Sequence, residues 1–162
     1  MNPGMTLIVK NTARLITGFI AVFAVHIALT GHLTPGGGFA GGVILAAAAV
    51  LVVLAFGRKG AGAMADEPGT HVWDAAGAMG FLVVALCGYF LGAFFLNFMP
   101  HGRVGDLLSA GTIPLSNLAI LVKVGAGLAG AFLALSAFRL FKTLPRGHWR
   151  AGEPGAGFGS LR

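Results

Sequence analysis

Four long stretches of this 162-residue chain are almost free of charged side chains, and they restrict the possible folds more than any other feature. Three of them contain no Lys, Arg, Asp or Glu, and the fourth contains Lys123 alone. Each has the length of about 20 residues that a helix needs to cross a bilayer. None alternates polar and apolar residues as a transmembrane strand does. The sequence therefore predicts an all-α membrane protein with four transmembrane helices, at about residues 13–32, 36–57, 75–99 and 115–140.

The composition is also that of a chain embedded in lipid. Hydrophobic residues make up 56% of it and charged residues only 10%, whereas a soluble domain carries about 25% charged residues. Basic residues precede the first apolar run, as in a signal peptide, but no small-residue cleavage site ends that run, so we expect it to be retained as a helix. Cys87 is the only cysteine, which excludes an internal disulfide. We predict a transmembrane domain at 1–144 and a basic, Gly- and Pro-rich cytoplasmic tail at 145–162.

Lys and Arg are distributed unevenly between the two predicted sides. Cytoplasmic segments of membrane proteins carry an excess of these residues, so both termini are expected in the cytoplasm and the chain in the inner (plasma) membrane, as a multi-pass protein. The basic rim also accounts for the net charge of +6 without a nucleic-acid partner. Only Arg103 lies in an opposite loop, and the residues of the rim are Lys10, Arg14, Arg58, Lys59, Arg139, Lys142, Arg146, Arg150 and Arg162.

The stretch "TPGGGFAGG", Thr34 to Gly42, contains the pattern G-x-G-x-x-G of a dinucleotide-binding turn. Such a turn needs a strand before it, a helix after it and an acidic residue about 20 positions later. Here a transmembrane helix precedes the pattern, and the next acid is Asp66, beyond the second span. We therefore expect no nucleotide and no other cofactor at this stretch.

A packing role explains the same glycines better. Thr34 suits the N-cap of the second helix, and Pro35 suits its first turn, where a missing N–H costs nothing. Small residues four positions apart let helices approach closely in membranes, and the third and fourth helices carry similar faces. We expect these faces to contact other membrane subunits. The small-residue pairs of the stretch are Gly37 with Gly41 and Gly38 with Gly42.

Two polar side chains inside the spans are candidates for an ion pathway. Lys123 lies about 12 Å below the outer end of the fourth span, at 1.5 Å per residue. Ionisable groups at such depth cost free energy, so Lys123 either exchanges a proton or repels a cation, or its ammonium reaches the interface or backbone carbonyls. No acid is expected at matching depth, so its counter-charge is expected from another subunit or from water. His26 either lies in the core, bonded to Thr30 or a carbonyl, or shares a hydrated cavity with Lys123.

The remaining polar residues form no recognisable reaction centre. The other histidines lack metal-ligand spacing, and no catalytic cluster is present, so we expect neither a metal site nor an enzyme. A small homodimeric exporter is disfavoured for want of a carboxylate at mid-depth.

The run "GHLTPGGGFAGGVILAAAAVLVVLAFG" resembles the hallmark of the MnhB/MrpB domain, found in a small component of Mrp-type multisubunit sodium/proton antiporters. The later "SAGTIPLSNLAILVKVGAGLAGAF", Ser109 to Phe132, resembles the last helix of that family, and the resemblance covers roughly Leu15 to Leu140. The motif positions that match are Pro35, Gly36, Gly37, Gly38, Phe39, Gly41 and Gly42.

This resemblance implies an accessory subunit among other hydrophobic subunits of a complex that exchanges Na⁺ for H⁺. In the family, proton pumping is thought to reside mostly in larger subunits, while the small ones are proposed to shape a sodium path. The domain also occurs in related energy-converting, hydrogenase-like membrane complexes. A subunit of such a redox-driven ion pump is therefore the alternative.

Overall fold

The computed structural model describes residues 5–62, 67–100, 102–103, 105–106 and 109–143. Four α-helices account for most of them, and each is long and apolar enough to cross a membrane. The prediction of an all-α chain with four spanning helices is thus confirmed by length and composition. The predicted tail at 145–162 lies outside the described residues, and the cytoplasmic placement of the termini stays a prediction. The helices are α1 (Leu7–Leu29), α2 (Gly38–Gly60), α3 (Glu67–Phe90) and α4 (Ile113–Thr143).

Helix α4 lies at the centre of the arrangement. It packs along both α2 and α3 and also contacts α1, which packs along α2. Helix α3 has α4 as its main neighbour. The N–H of Met5 donates to the carbonyl of Ala55 at 3.2 Å, so the start of α1 lies beside the last turns of α2. We call this side of the bundle the Met5 end, and it also carries the start of α3.

Small side chains form most of the interior. Most of the buried hydrophobic residues are alanines, and Leu133 is the one large side chain that is almost fully buried among those described. Large apolar side chains such as Phe19, Phe90 and Leu135 are exposed on the outside of the bundle. This inversion is typical of helices that associate in lipid, where close backbone approach replaces the burial of bulky residues.

The third helix differs from its predicted span of 75–99. It begins at Glu67, because Pro68 fits a first helical turn, and it ends at Phe90. Gly92 has a φ of 131°, which ends the helix and turns the chain back. The carboxamide of Asn97 then donates to Ala110 O at 3.0 Å and accepts from the N–H of Thr112 at 2.8 Å. The apolar residues 91–99 therefore form a return segment over the start of α4.

Candidate functional site

Lys123 and Asp74 form an ion pair between two spanning helices. The ammonium Nζ of Lys123 on α4 lies 3.0 Å from Oδ1 of Asp74 on α3. Asp74 lies about two turns into α3 because that helix starts at Glu67. The expectation that no acid of this chain matches the depth of Lys123 is wrong, since the counter-charge comes from α3. Two helix-start signals, Pro68 and Glu67 in the first turn, indicate the longer helix, but a search for charge-free runs excludes them.

Glycines let the two helices approach closely beside this pair. A methyl group built at Gly77 would lie 2.5 Å from the backbone nitrogen of Lys123. One built at Gly127 would lie 3.3 Å from Oδ1 of Asp74. The backbones therefore meet where the charges meet, and this contact sets the register of α3 against α4. We refer to the contact of Gly77 and Asp74 with Lys123 and Gly127 as the α3–α4 seam.

The pair lies far from either end of α4 and on the outside of the bundle. Lys123 is about 15 Å from Ile113, the start of α4, within a bilayer core about 30 Å thick. The side chains of Lys123 and Asp74 are 48% and 37% exposed in the isolated chain. Exposed ion pairs are stable in water, but charges at such depth are costly in lipid unless polar groups or water surround them. The arrangement therefore calls for protein or water, and not acyl chains, against this face.

His26 is not brought to this pair. It lies in the last turn of α1 with an exposed side chain, so its expected place in the core is wrong. The hydroxyl of Thr30 does bond to His26, but it donates to the backbone carbonyl, at 2.8 Å, and not to the ring. The described residues show no contact between His26 and Lys123. A shared hydrated cavity stays a prediction.

The first part of the glycine stretch ends α1. The hydroxyl of Thr34 donates to the carbonyl of Thr30 at 3.1 Å, so Thr34 caps the preceding helix. The expected N-cap role of Thr34 for α2 is wrong, because α2 begins at Gly38 and its N-cap is Gly37. Gly37 has a φ of 98°, which favours glycine, and the Cα of Gly37 packs directly against Gly31. This tight turn leaves Pro35 exposed, before the helix and not in its first turn.

The later glycines form contacts within the chain. A methyl group at Gly41 would lie 2.6 Å from the carbonyl oxygen of Ala24 on α1. One at Gly42 would lie 2.6 Å from Cβ of Val124, and Gly38 packs against the backbone of Asn117, both on α4. Helix α2 is thus held between α1 and α4, so these glycines serve the bundle itself and not the expected contact with another subunit. Phe39 in the same stretch is 66% exposed and points away from the bundle. Gly36 is also exposed, although a methyl group there would lie 2.9 Å from the Ile27 side chain.

Comparison with protein families gives one match over most of the chain. Residues 8–130 match a family model described as a domain related to the MnhB subunit of Na⁺/H⁺ antiporters. This range contains the glycine stretch, the α3–α4 seam and most of the four helices. The chain is also 34% identical over 95 residues to the MnhB-type component of the Na⁺/H⁺ antiporter of Bacillus subtilis, a match that covers 59% of this chain and 64% of that protein.

Two longer relatives extend the comparison. An uncharacterized protein of Methanocaldococcus jannaschii is 35% identical over 138 residues, which cover 81% of this chain and 52% of that protein. A solved chain of the membrane-bound sulfane sulfur reductase, an archaeal respiratory membrane complex, has a TM-score of 0.68 and 33% identity, covering 82% of this chain and 59% of that one. The chain therefore spans between about half and two thirds of the length of these three relatives.

Proposed function

Because the chain belongs to the family of domains related to the MnhB subunit of Na⁺/H⁺ antiporters, we propose that it is an accessory membrane subunit of a multisubunit Na⁺/H⁺ antiporter. Its role there is to support ion translocation and assembly of the complex, without enzymatic activity of its own. The observation that carries this proposal is the family match over residues 8–130, which includes most of all four spanning helices. The proposed location is the inner (plasma) membrane, with both termini in the cytoplasm.

Within that role, we propose that Lys123 and Asp74 are the charged groups that this subunit contributes to an ion path. The carboxylate of Asp74 accepts the ammonium of Lys123, and it accepts a proton or Na⁺ only in place of that ammonium. An arriving cation therefore competes with Lys123 for one acceptor. The half-exposed position of both side chains supports this role, since an ion that enters from a neighbouring subunit or from water reaches them directly.

The same exposure supports a dependence on partners. A charged pair at this depth is stabilised by polar groups, and larger hydrophobic subunits are the proposed source of those groups. The presence of Asp74 removes the argument against a homodimeric exporter that rested on a missing carboxylate. Family membership nevertheless favours a subunit of a larger complex over such an exporter.

The alternative is a subunit of a redox-driven energy-converting complex, and one observation favours it specifically. The solved structural relative is part of a respiratory membrane complex. Within its described residues, this chain has no group of three or more His, Cys, Asp or Glu side chains placed to hold a metal ion, so its own structure does not separate the two settings. The distinction lies in what energises ion movement.

Purification and transport measurements together test the proposal. A tagged chain purified from native membranes should retain much larger hydrophobic subunits. Inverted vesicles energised by ATP hydrolysis should lose part of their proton gradient when NaCl is added, and vesicles with Lys123→Met should lose less. If Na⁺-dependent proton movement requires an added electron donor, the redox-driven alternative is correct. Exchange by the purified chain alone in liposomes would contradict the accessory role.

A further inference from the structure

Arg14 on α1 lies where two cavities adjoin. The first, with a volume of about 200 Å³, lies between α1 and α2 and is lined by Arg14, Thr17, Val52 and Phe56. The guanidinium carbon of Arg14 is 5.5 Å from the centre of the Phe56 ring, a cation–π distance. Phe56 directly precedes Gly57, where the spanning part of α2 ends. The guanidinium is therefore at the level of the lipid headgroups at the Met5 end, which long basic side chains commonly reach.

Two polar groups of this cavity have hydrogen-bonding capacity that the described residues leave unused. The hydroxyl of Thr17 is buried and has no hydrogen-bond partner. Among the described residues no carboxylate pairs with Arg14, whose cation–π contact leaves its N–H donors available. A buried polar group without a partner is uncommon in proteins and indicates a missing ligand or water. Both groups donate hydrogen bonds, so the complementary ligand is an anion rich in acceptor oxygens.

The second cavity, of about 680 Å³, begins at the same arginine and runs along α1 as a groove. It is lined by Asn11, Arg14, Leu15, Gly18, Phe19 and Val22. Gly18 forms a notch, since a methyl group built there would meet no atom within 4 Å. Phe19 and Val22 are 70% and 71% exposed on the same helix. An apolar groove thus extends from a cationic headgroup-level site towards the middle of the bundle.

We propose that this composite site binds an anionic phospholipid. Its phosphate accepts hydrogen bonds from Arg14, and the hydroxyl of Thr17 donates to a phosphate or ester carbonyl oxygen. One acyl chain lies along the groove over Gly18. A free phosphate accounts for Arg14 and Thr17 but leaves the groove without an occupant, whereas a partner helix fills the groove but leaves the Thr17 hydroxyl in its cavity. A phospholipid matches both halves of the site.

Native mass spectrometry of the full chain in detergent tests this assignment. The chain is titrated with phosphatidylglycerol, with phosphatidylcholine as the neutral comparison lipid. Loss of a charged hydrogen bond corresponds to about tenfold in affinity, so Arg14→Gln should bind phosphatidylglycerol about tenfold more weakly. Arg103→Gln, which removes an equal charge from an exposed loop, should bind as the unaltered chain does. Gly18→Leu, which enters open space and fills the groove, should also weaken binding.

Three results would overturn the proposal. One is equal binding of phosphatidylglycerol by Arg14→Gln and by the unaltered chain. Another is displacement of the lipid by millimolar inorganic phosphate together with undiminished binding by Gly18→Leu, which indicates a simple anion site. The third is equal affinity for the neutral and the anionic lipid. Gly18→Leu keeps the test valid if Arg14→Gln fails to fold, because its side chain meets no neighbour.

Discussion

Replacing Asp74 with asparagine gives a direct measurement of what the ion pair contributes. Asp74→Asn keeps the size of the side chain and removes its charge, so the ammonium of Lys123 loses the carboxylate 3.0 Å away. The seam glycines are unchanged, and the helices can still meet. The consequence is therefore electrostatic, and its size depends on the surroundings of Lys123.

Two limits bound the expected magnitude. An exposed pair in water contributes roughly 0–1 kcal/mol. A lysine at the centre of a membrane helix costs roughly 2.5–3.5 kcal/mol on insertion scales. Lys123 is far from the ends of α4, and its side chain is 48% exposed on the bundle surface. We therefore expect Asp74→Asn to lower the free energy of unfolding by about 2 kcal/mol, between these two limits.

The assay is a double-mutant cycle on the full chain in mixed micelles. Unfolding by SDS is followed by tryptophan fluorescence for the unaltered chain, Asp74→Asn, Lys123→Met and the double variant. The double variant should lose less stability than the two single variants added together, because it leaves no unpaired charge. Asp106→Asn, in a loop outside the spanning helices, is the matched control and should change little. A coupling energy below about 0.5 kcal/mol would refute the reasoning, since that is the scatter for independent sites.

Three further predictions concern other positions. Gly77→Ala forces a methyl group against the backbone of Lys123, so it should destabilise the chain by about 1–3 kcal/mol, whereas Gly80→Ala in the same helix should have little effect on the thermal midpoint. The double variant His26→Ala/Lys123→Ala should reduce Na⁺-dependent proton movement in vesicles more than either single change, and unaltered transport would exclude a shared cavity. Asn97→Ala should accelerate hydrogen exchange at the start of α4 and cost about 1–2 kcal/mol, because two side-chain hydrogen bonds are lost; unchanged exchange there would contradict this assignment.

The number and type of helices follow directly from the sequence, because bilayer thickness sets a minimum length for each apolar run. Their ends do not follow from the same argument. A charge-free run shows where charges are absent, whereas a helix starts and stops according to backbone chemistry. At α3 these two criteria differ: Pro68 starts the helix before its first charge-free residue, and Gly92 turns the chain while the sequence is still apolar.

The pairing of Lys123 with Asp74 shows why this displacement matters for function. The two residues are 49 positions apart, so no helical spacing relates them. Only the register between α3 and α4 brings them together, and that register depends on Gly77 against the backbone of Lys123. A glycine in an apolar helix predicts close packing but does not identify its partner. The same applies to Gly38 and Gly42, which contact α4 of this chain and not a separate subunit.

The construction of the α3–α4 seam makes the ion pair more consequential than a surface pair in a soluble protein. Helix α3 packs mainly on α4, and glycines occupy their contact at Gly77, Gly127 and Gly130, the last against Thr70. Such contacts bring backbones together but bury few large side chains, and lipid supplies no hydrophobic force between helices. The pair therefore contributes a large share of what holds the first half of α3. If so, Asp74→Asn should accelerate hydrogen exchange in α3 before it does in α1 and α2, and uniform acceleration in all four helices would contradict this account.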